Sequence, residues 1–385
     1  MYNRILIAVI LIAISIFGAN AQTDSIKNSP HKYEFDGQAS AYLSFSPDND
    51  LDWFVGARYL PEIEYAYTFK NKSKLDFEVS ANIYGTVLFH PFDNSQTDGD
   101  INPYRLWGRY SGEQYELRIG LQKIDFGTAM MLRSLRWFDE IDPRDPLKFT
   151  TGVYGGLGRY YFLNNANIWA WMLYGNENSR GFEILRNNKD IPEFGGRIQY
   201  PVPRGEIAVT YHHRSANSED LQNFPSYDNI PENRYALDGK WDVLVGLWFE
   251  AAYINKAKNV GMLTNQIYLT LGTDYTFGIG SGLNVTIEHL VMSFDEKAFA
   301  FENNSNLTAT SIVYPLGFFD NISAMAYYSW DTKAVSLFLN YEHQFKKMVG
   351  YIMAYYNPNS QSGIGTKYEN SFSGPGVRIM LVYNH

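Results

Sequence analysis

The chain has no cysteine among its 385 residues, which excludes a disulfide framework, a thiolate metal site and a lipid-anchored lipoprotein. Positive charge is sparse and unclustered: 32 Lys and Arg stand against 41 Asp and Glu, a net charge of −9. Without a basic patch the chain has little to hold a phosphate backbone, so nucleic acid is excluded as a partner. Long apolar runs are missing beyond the N-terminus, where uncharged stretches are as short as Val243 to Phe249. A membrane-spanning helix needs about 20 apolar residues, so a helical membrane protein is excluded too.

What is present begins with an address. Arg4 supplies a positive start, Ile5 to Phe17 is apolar apart from Ser15, and Ala19-Asn20-Ala21 is a small-x-small cleavage site. Residues 1–21 therefore read as a secretory signal, too short to be a spanning helix. Its removal near Ala21 takes away Arg4, moves the net charge from −9 to −10, and leaves 364 of the 385 residues. The expected setting is the envelope of a Gram-negative cell. Residues 22–35 are expected to form a short periplasmic segment and 36–385 a single architecture, since no linker of changed composition follows.

From there the chain alternates apolar and polar residues in short stretches. Leu283, Val285 and Ile287 share one face, with Asn284, Thr286 and Glu288 on the other. Ile207, Val209 and Tyr211 alternate with Glu206, Thr210 and His212; Val335, Leu337, Leu339 and Tyr341 with Ser336, Phe338, Asn340 and Glu342. Eighteen stretches can be marked between 36–46 and 375–384, those at 36–46 and 194–201 being the weakest. Connections alternate between tight turns, such as 70–73 and 201–205, and long ones at 89–102, 125–152, 175–193, 214–233, 295–305 and 358–374. A soluble sandwich has the same period of two. Length, address and loop asymmetry favour an all-β, transmembrane, antiparallel up-and-down barrel of 16–18 strands in the outer membrane. Tyr67, Phe69, Tyr110, Trp241, Phe277, Tyr328 and Trp330, near strand ends, fit interfacial girdles. Trp169 and Trp171 share a phase with Asn167 and suit either an inward aromatic slide for sugars or a lipid boundary.

One segment breaks the strand pattern. It runs Gly120-Leu121-Gln122-Lys123-Ile124-Asp125-Phe126-Gly127 and later Asp139-Glu140-Ile141-Asp142-Pro143-Arg144-Asp145-Pro146. Loop 125–152 is too apolar to hang in water, and Pro143 and Pro146 keep it out of a ladder. A loop of this length with hydrophobic content packs on something, and within a wide barrel that place is the lumen. These residues resemble outer-membrane porins of the phosphate-selective and alginate-export group, the matching positions being Gly120, Gln122, Phe126, Gly127, Asp139, Ile141, Asp142, Pro143, Arg144, Asp145 and Pro146. The resemblance covers about 30 residues and implies a 16- to 18-stranded channel narrowed by an inward-folded loop.

The candidate constriction is Arg133, Arg136, Asp139, Glu140, Asp142, Arg144 and Asp145. The candidate lumen wall is Arg105, Arg109, Glu116, Arg118 and Gln122, in phase on two strands. Wall arginines facing loop acids would set a transverse field that biases ion passage, or would pin the loop to the wall. Neither Asp139/Glu140/Asp142/Asp145 nor Asp93/Asn94/Asp98/Asp100 has the spacing of a calcium loop, so no metal or cofactor is expected. The histidines (His31, His90, His212, His213, His289, His343 and His385) lack a Gly-x-Ser-x-Gly context, and His212 and His213 split across two faces. The chain is expected not to be an enzyme; a rim hydrolase is favoured only if a Ser or Asp sits within hydrogen-bond reach of a His.

The expected function is a porin-like channel for passive diffusion of small hydrophilic solutes, with the bilayer and its lipopolysaccharide as surroundings. A homo-oligomer or a larger outer-membrane complex is the further partner expected. The alternative is an accessory or structural barrel of such a complex, favoured if loop 125–152 blocks the lumen.

Overall fold

The computed structural model describes residues 29–48, 51–91, 95–221, 224–358 and 372–385. The expected signal at 1–21, residues 22–28, Asp93, Asn94 and most of the 358–374 connection lie outside the described residues. The strands are β1 (His31–Phe45), β2 (Trp53–Thr68), β3 (Lys74–Phe89), β4 (Ser95–Ser111), β5 (Tyr115–Gln122), β6 (Val153–Tyr161), β7 (Asn167–Leu173), β8 (Arg186–Asn187), β9 (Glu193–Val202) and β10 (Gly205–Asn217). They continue as β11 (Ile230–Asp242), β12 (Gly246–Lys256), β13 (Asn265–Phe277), β14 (Leu283–Asp295), β15 (Asn304–Pro315), β16 (Asp320–Ser329), β17 (Val335–Gln344), β18 (Met348–Asn357) and β19 (Gly374–Asn384).

Sequential strands pair antiparallel around the ring, and β1 closes it on β19 from Gln38↔Asn384 to Phe45↔Val377. β8 is a two-residue graft on the end of β10, and β7 pairs directly with β9. The result is a closed 18-strand barrel, with no free edge to aggregate. Both weak stretches of the sequence are full strands. Two boundaries differ most from expectation. β1 starts at His31, paired with Tyr67, so residues 31–35 belong to the barrel and not to a periplasmic segment. Residues 95–102 are strand, not loop, with Ser95 opposite Phe89. Both stretches are largely exposed on either face, so no buried face imprints an apolar alternation, and the backbone ladder alone carries the strand.

Register fixes the two faces. Outward are Leu117, Ile119, Val209, Leu237, Leu271, Ile352 and Ile379; Ile119 is 72 % exposed and Val209 58 %. A continuous belt of exposed aliphatic side chains fits lipid, where alternate residues then face the bore. Inward are Arg197, Thr210, Arg234, Glu250, Thr270 and Glu288, all buried. The alternations marked at 206–212, 283–288 and 335–342 fall on these faces as expected. Connections at the end holding both termini are short, as at 203–204 and 243–245, while 123–152, 174–192 and 218–229 at the other end are long.

Candidate functional site

The connection 123–152 folds into the barrel and becomes part of its core. Ile124, Phe126, Leu132, Leu135, Trp137 and Phe138 pack on inward side chains from β6 to β16, among them Leu157, Trp171, Tyr268 and Leu290. Trp169 and Trp171 do point inward, but Phe126 stacks on Trp171 with centroids 5.8 Å apart, so they hold the loop and offer no open slide. This explains the segment's apolar content: its hydrophobic side chains are buried against the wall.

Two wall carboxylates fix the loop backbone. Glu250 of β12 accepts from Thr128 N (2.6 Å), Ala129 N (2.8 Å) and Leu135 N (3.0 Å). Glu288 of β14 accepts from Met130 N (2.6 Å), Met131 N (2.8 Å), Leu132 N (2.6 Å) and the Trp248 indole (3.0 Å). Both are fully buried, and such charge-assisted bonds satisfy at once the carboxylates and loop amides that no ladder serves. Gly127 has φ +101° and lies against Glu250, so a Cβ there would fall on the carboxylate oxygen. The Thr270 hydroxyl donates to Leu132 O at 2.6 Å and meets Ser134 Oγ at 2.7 Å.

The expected constriction residues divide between two roles. Arg133 pairs with Asp125 and donates to Phe126 O at 3.1 Å; burial pushes the Asp125 carboxyl up, but Arg133 and Lys123 outweigh it and hold it below its ordinary range. Arg136 is buried with its guanidinium over Phe182, 4.4 Å from the centroid. Asp139 is buried, accepts from Thr151 N at 3.0 Å and sits 3.5 Å from Lys123; desolvation pushes its carboxyl up. Glu140 N donates to Thr151 Oγ1 at 3.2 Å. These residues pin the loop.

Asp142, Arg144 and Asp145 lie where the loop crosses toward β17, β19 and β1. Arg144 forks onto Asp142 (2.9 and 2.8 Å) and lies over Phe338 of β17. Desolvation pushes the Asp145 carboxyl up, offset only in part by the Leu147 N–H that it accepts at 3.0 Å and by the charges of Arg58 of β2 and Arg378 of β19. Arg58 lies over Phe149, and Arg378 lies over Tyr42 and Phe372. The basic side of this crossing is thus Arg58 and Arg378, which the sequence did not single out.

The expected wall residues are inward but serve the wall. Arg109 forks onto Asp76 at 3.0 and 2.6 Å. Glu116 lies 3.7 Å from Arg118 and 3.2 Å from Arg159. Arg105 donates to Tyr104 O at 2.6 Å and to Thr150, and Gln122 to Gly155 O at 2.9 Å. Arg109 thus pairs with neighbouring strands and Arg118 with Glu116 of its own strand, because an inward partner one strand or two residues away is closer than the loop.

A second inward connection, 174–192, builds a network absent from the sequence reading. Glu183 takes Arg214 (3.2 Å) and Arg234 (2.6 Å), Glu232 takes Arg214 (2.6 Å), Arg234 (2.7 Å) and Lys256 (3.2 Å), and Glu193 takes Arg180 (2.6 Å) and His212 (3.2 Å). The void among these residues is about 10 Å³, so this side of the bore is closed. Near the termini, along β1, β2 and β4, a cavity of about 390 Å³ remains, lined by Asp36, Gln38, Leu60, Glu62, Tyr104 and Phe149 among others. The inward residues Arg58, Leu60, Glu62, Tyr84, Thr86 and Trp107 are only half-buried, unlike the sealed face of β10–β14.

The histidine rings reach Asp52 (His90, 3.0 Å), Asp320 (His343, 2.7 Å), Asn233 (His213, 2.9 Å) and Thr308 (His289, 2.9 Å). Among the described residues there are thus two His–Asp pairs, neither with a serine hydroxyl on the ring, and a hydrolytic triad needs a nucleophile as well. Asp320 instead accepts from Tyr341 at 2.5 Å.

No family model matches the chain, and no curated protein matches it. Among solved structures it is similar to OccD3 (OpdP) of Pseudomonas aeruginosa, at 9 % identity and TM-score 0.56 over 91 % of each chain. It is similar to OccAB4 of Acinetobacter baumannii at 9 % identity and TM-score 0.54, over 94 % of this chain and 100 % of that one. It is also similar to Wzi of Escherichia coli, an outer-membrane protein involved in group 1 capsule assembly and a carbohydrate-binding β-barrel. That likeness has 10 % identity and TM-score 0.52, over 90 % of this chain and 83 % of that one. At these identities the shared property is the fold, that of outer-membrane β-barrels.

Proposed function

We propose that the chain is a porin-like channel in a Gram-negative outer membrane, reached after cleavage of residues 1–21, through which small hydrophilic solutes diffuse passively. The observation that carries this is the asymmetric filling of the bore: two loops close the side of β6–β16, while a charged, half-buried arc along β1–β4 keeps free space. In this reading the passage is off-centre and runs through the cavity lined by Asp36, Glu62, Tyr104 and Phe149, with Arg58, stacked over Phe149, bringing positive charge to its edge and Arg378, Asp142 and Asp145 lying behind it. Charges of opposite sign beside the passage would bias which ions pass. The fold likeness to OccD3 and OccAB4 supports a channel without indicating its solute.

A second reading is favoured by the closed half and by the likeness to Wzi: an accessory barrel in a larger envelope complex. Planar-bilayer recording separates the two. A channel gives discrete conductance steps, and Arg58→Ala with Arg378→Ala shifts its chloride-to-potassium permeability ratio toward cations. Arg133→Ala, buried away from the passage, leaves the ratio unchanged. Absence of steps from folded protein selects the accessory role.

A further inference from the structure

On the bore wall near the termini, three carboxylates converge. Glu62 and Glu64 of β2 and Glu78 of β3 share the inward face, with Glu64 directly opposite Glu78 and Glu62 opposite Ser80. One oxygen from each lies within 4.8 Å of the other two. Asp36 of β1 stands opposite Glu62, and both line the 390 Å³ cavity. The cations closest by register are engaged elsewhere: Arg109 on Asp76, Arg105 on Tyr104 O and Thr150.

A second observation comes from two neutral oxygens. Ser80 and Asn82 are 5 % exposed on the same inward face, and their side-chain oxygens, Oγ and Oδ1, have no hydrogen-bond partner. Ser80 sits on the inward face between Glu62 across the ladder and Glu78 two residues back, so its unpartnered oxygen is flanked by both acids. A buried polar atom without a partner is costly, and carboxylates this close repel unless something neutralises them. A hard divalent cation relieves both. Calcium takes six to eight oxygens at about 2.3–2.6 Å, so its ligand oxygens lie up to roughly 5 Å apart.

We propose that Glu62, Glu64 and Glu78, with Ser80 as a fourth oxygen donor and water filling the remaining positions, form a calcium site on the bore wall, with the cavity beside Asp36 and Glu62 as its approach. The site stands whether or not the bore conducts. Trp107 of β4 lies opposite Glu78 in the register, which places an indole beside the bound ion. The test uses the full barrel in detergent, with terbium as the probe and its indole-sensitised emission as the readout. Saturable emission displaced by calcium is expected. Glu62→Gln with Glu78→Gln should weaken binding by roughly tenfold or more, and Asp331→Asn, remote from the site, should not. Trp107→Phe should lose the emission yet keep calcium uptake in equilibrium dialysis. Heat-shifted gel migration confirms folding; should the double variant not fold, Glu64→Gln alone must weaken binding. Unchanged terbium and calcium affinity in folded Glu→Gln variants, or no saturable calcium uptake by the unsubstituted protein, overturns the proposal.

Discussion

Gly127 and Glu288 are where single side chains decide whether the inner loop stays docked. Gly127 combines a left-handed φ with contact against the Glu250 carboxylate. Gly127→Ala is therefore expected to cost about 1–3 kcal/mol from backbone strain and to displace Glu250 as well. A lower midpoint in urea unfolding from vesicles checks it. Glu288→Gln leaves one oxygen and an NH2 group facing three backbone amides and the Trp248 indole. A donor against donors leaves buried N–H groups unpaired, each at about 1–3 kcal/mol. Limited trypsinolysis is the measurement: cleavage after Arg133 and Arg136, slow in the native barrel, should become fast while the strands stay protected. Glu288 was legible as inward from its alternation with Ile287, but its loop-holding role was not, since its partners lie 156 to 158 residues away.

At the scale of elements, the two inward connections behave differently. Connection 123–152 announces itself by apolar residues and prolines in a place where a surface loop would be polar. Connection 174–192 reads as an ordinary polar loop, and its inward course follows from partners on β9–β12 that only the ring assembles. Glu183 is held between Arg180, Arg214 and Arg234, all essentially buried. Glu183→Ala should destabilise the barrel by about 3–5 kcal/mol, because it strands buried guanidinium groups without their counter-charge. Urea unfolding monitored by tryptophan emission reads the loss. A milder effect, near that of an exposed ion pair, would mean that water already reaches this network.

For the whole molecule, the outward face predicts its own solvent. Val209→Arg, at an exposed position in the middle of β10, should cost about 2–4 kcal/mol in a bilayer-refolded barrel if lipid lies against it. In a water-facing sheet the change would be nearly neutral. Unfolding free energies measured in vesicles decide between them. The proposed ion selectivity would belong to this scale as well, since Arg58, Asp145 and Arg378 come from β2, the inner loop and β19.

The sequence by itself determined the barrel. A period of two repeated through the chain, with tight and long connections in alternation, is a local property, and hydrophobic burial against lipid reads it residue by residue. Its strand ends failed at 31–35 and 95–102, where exposure on both faces removes that signal. The tertiary structure alone decided what fills the bore. Glu250 and Glu288 meet the loop, Arg109 turns to Asp76 and not to a loop acid, and Glu62, Glu64 and Glu78 converge because ring closure and register set distances between strands. Those distances depend on how the whole cylinder shuts, and no short stretch of chain encodes them.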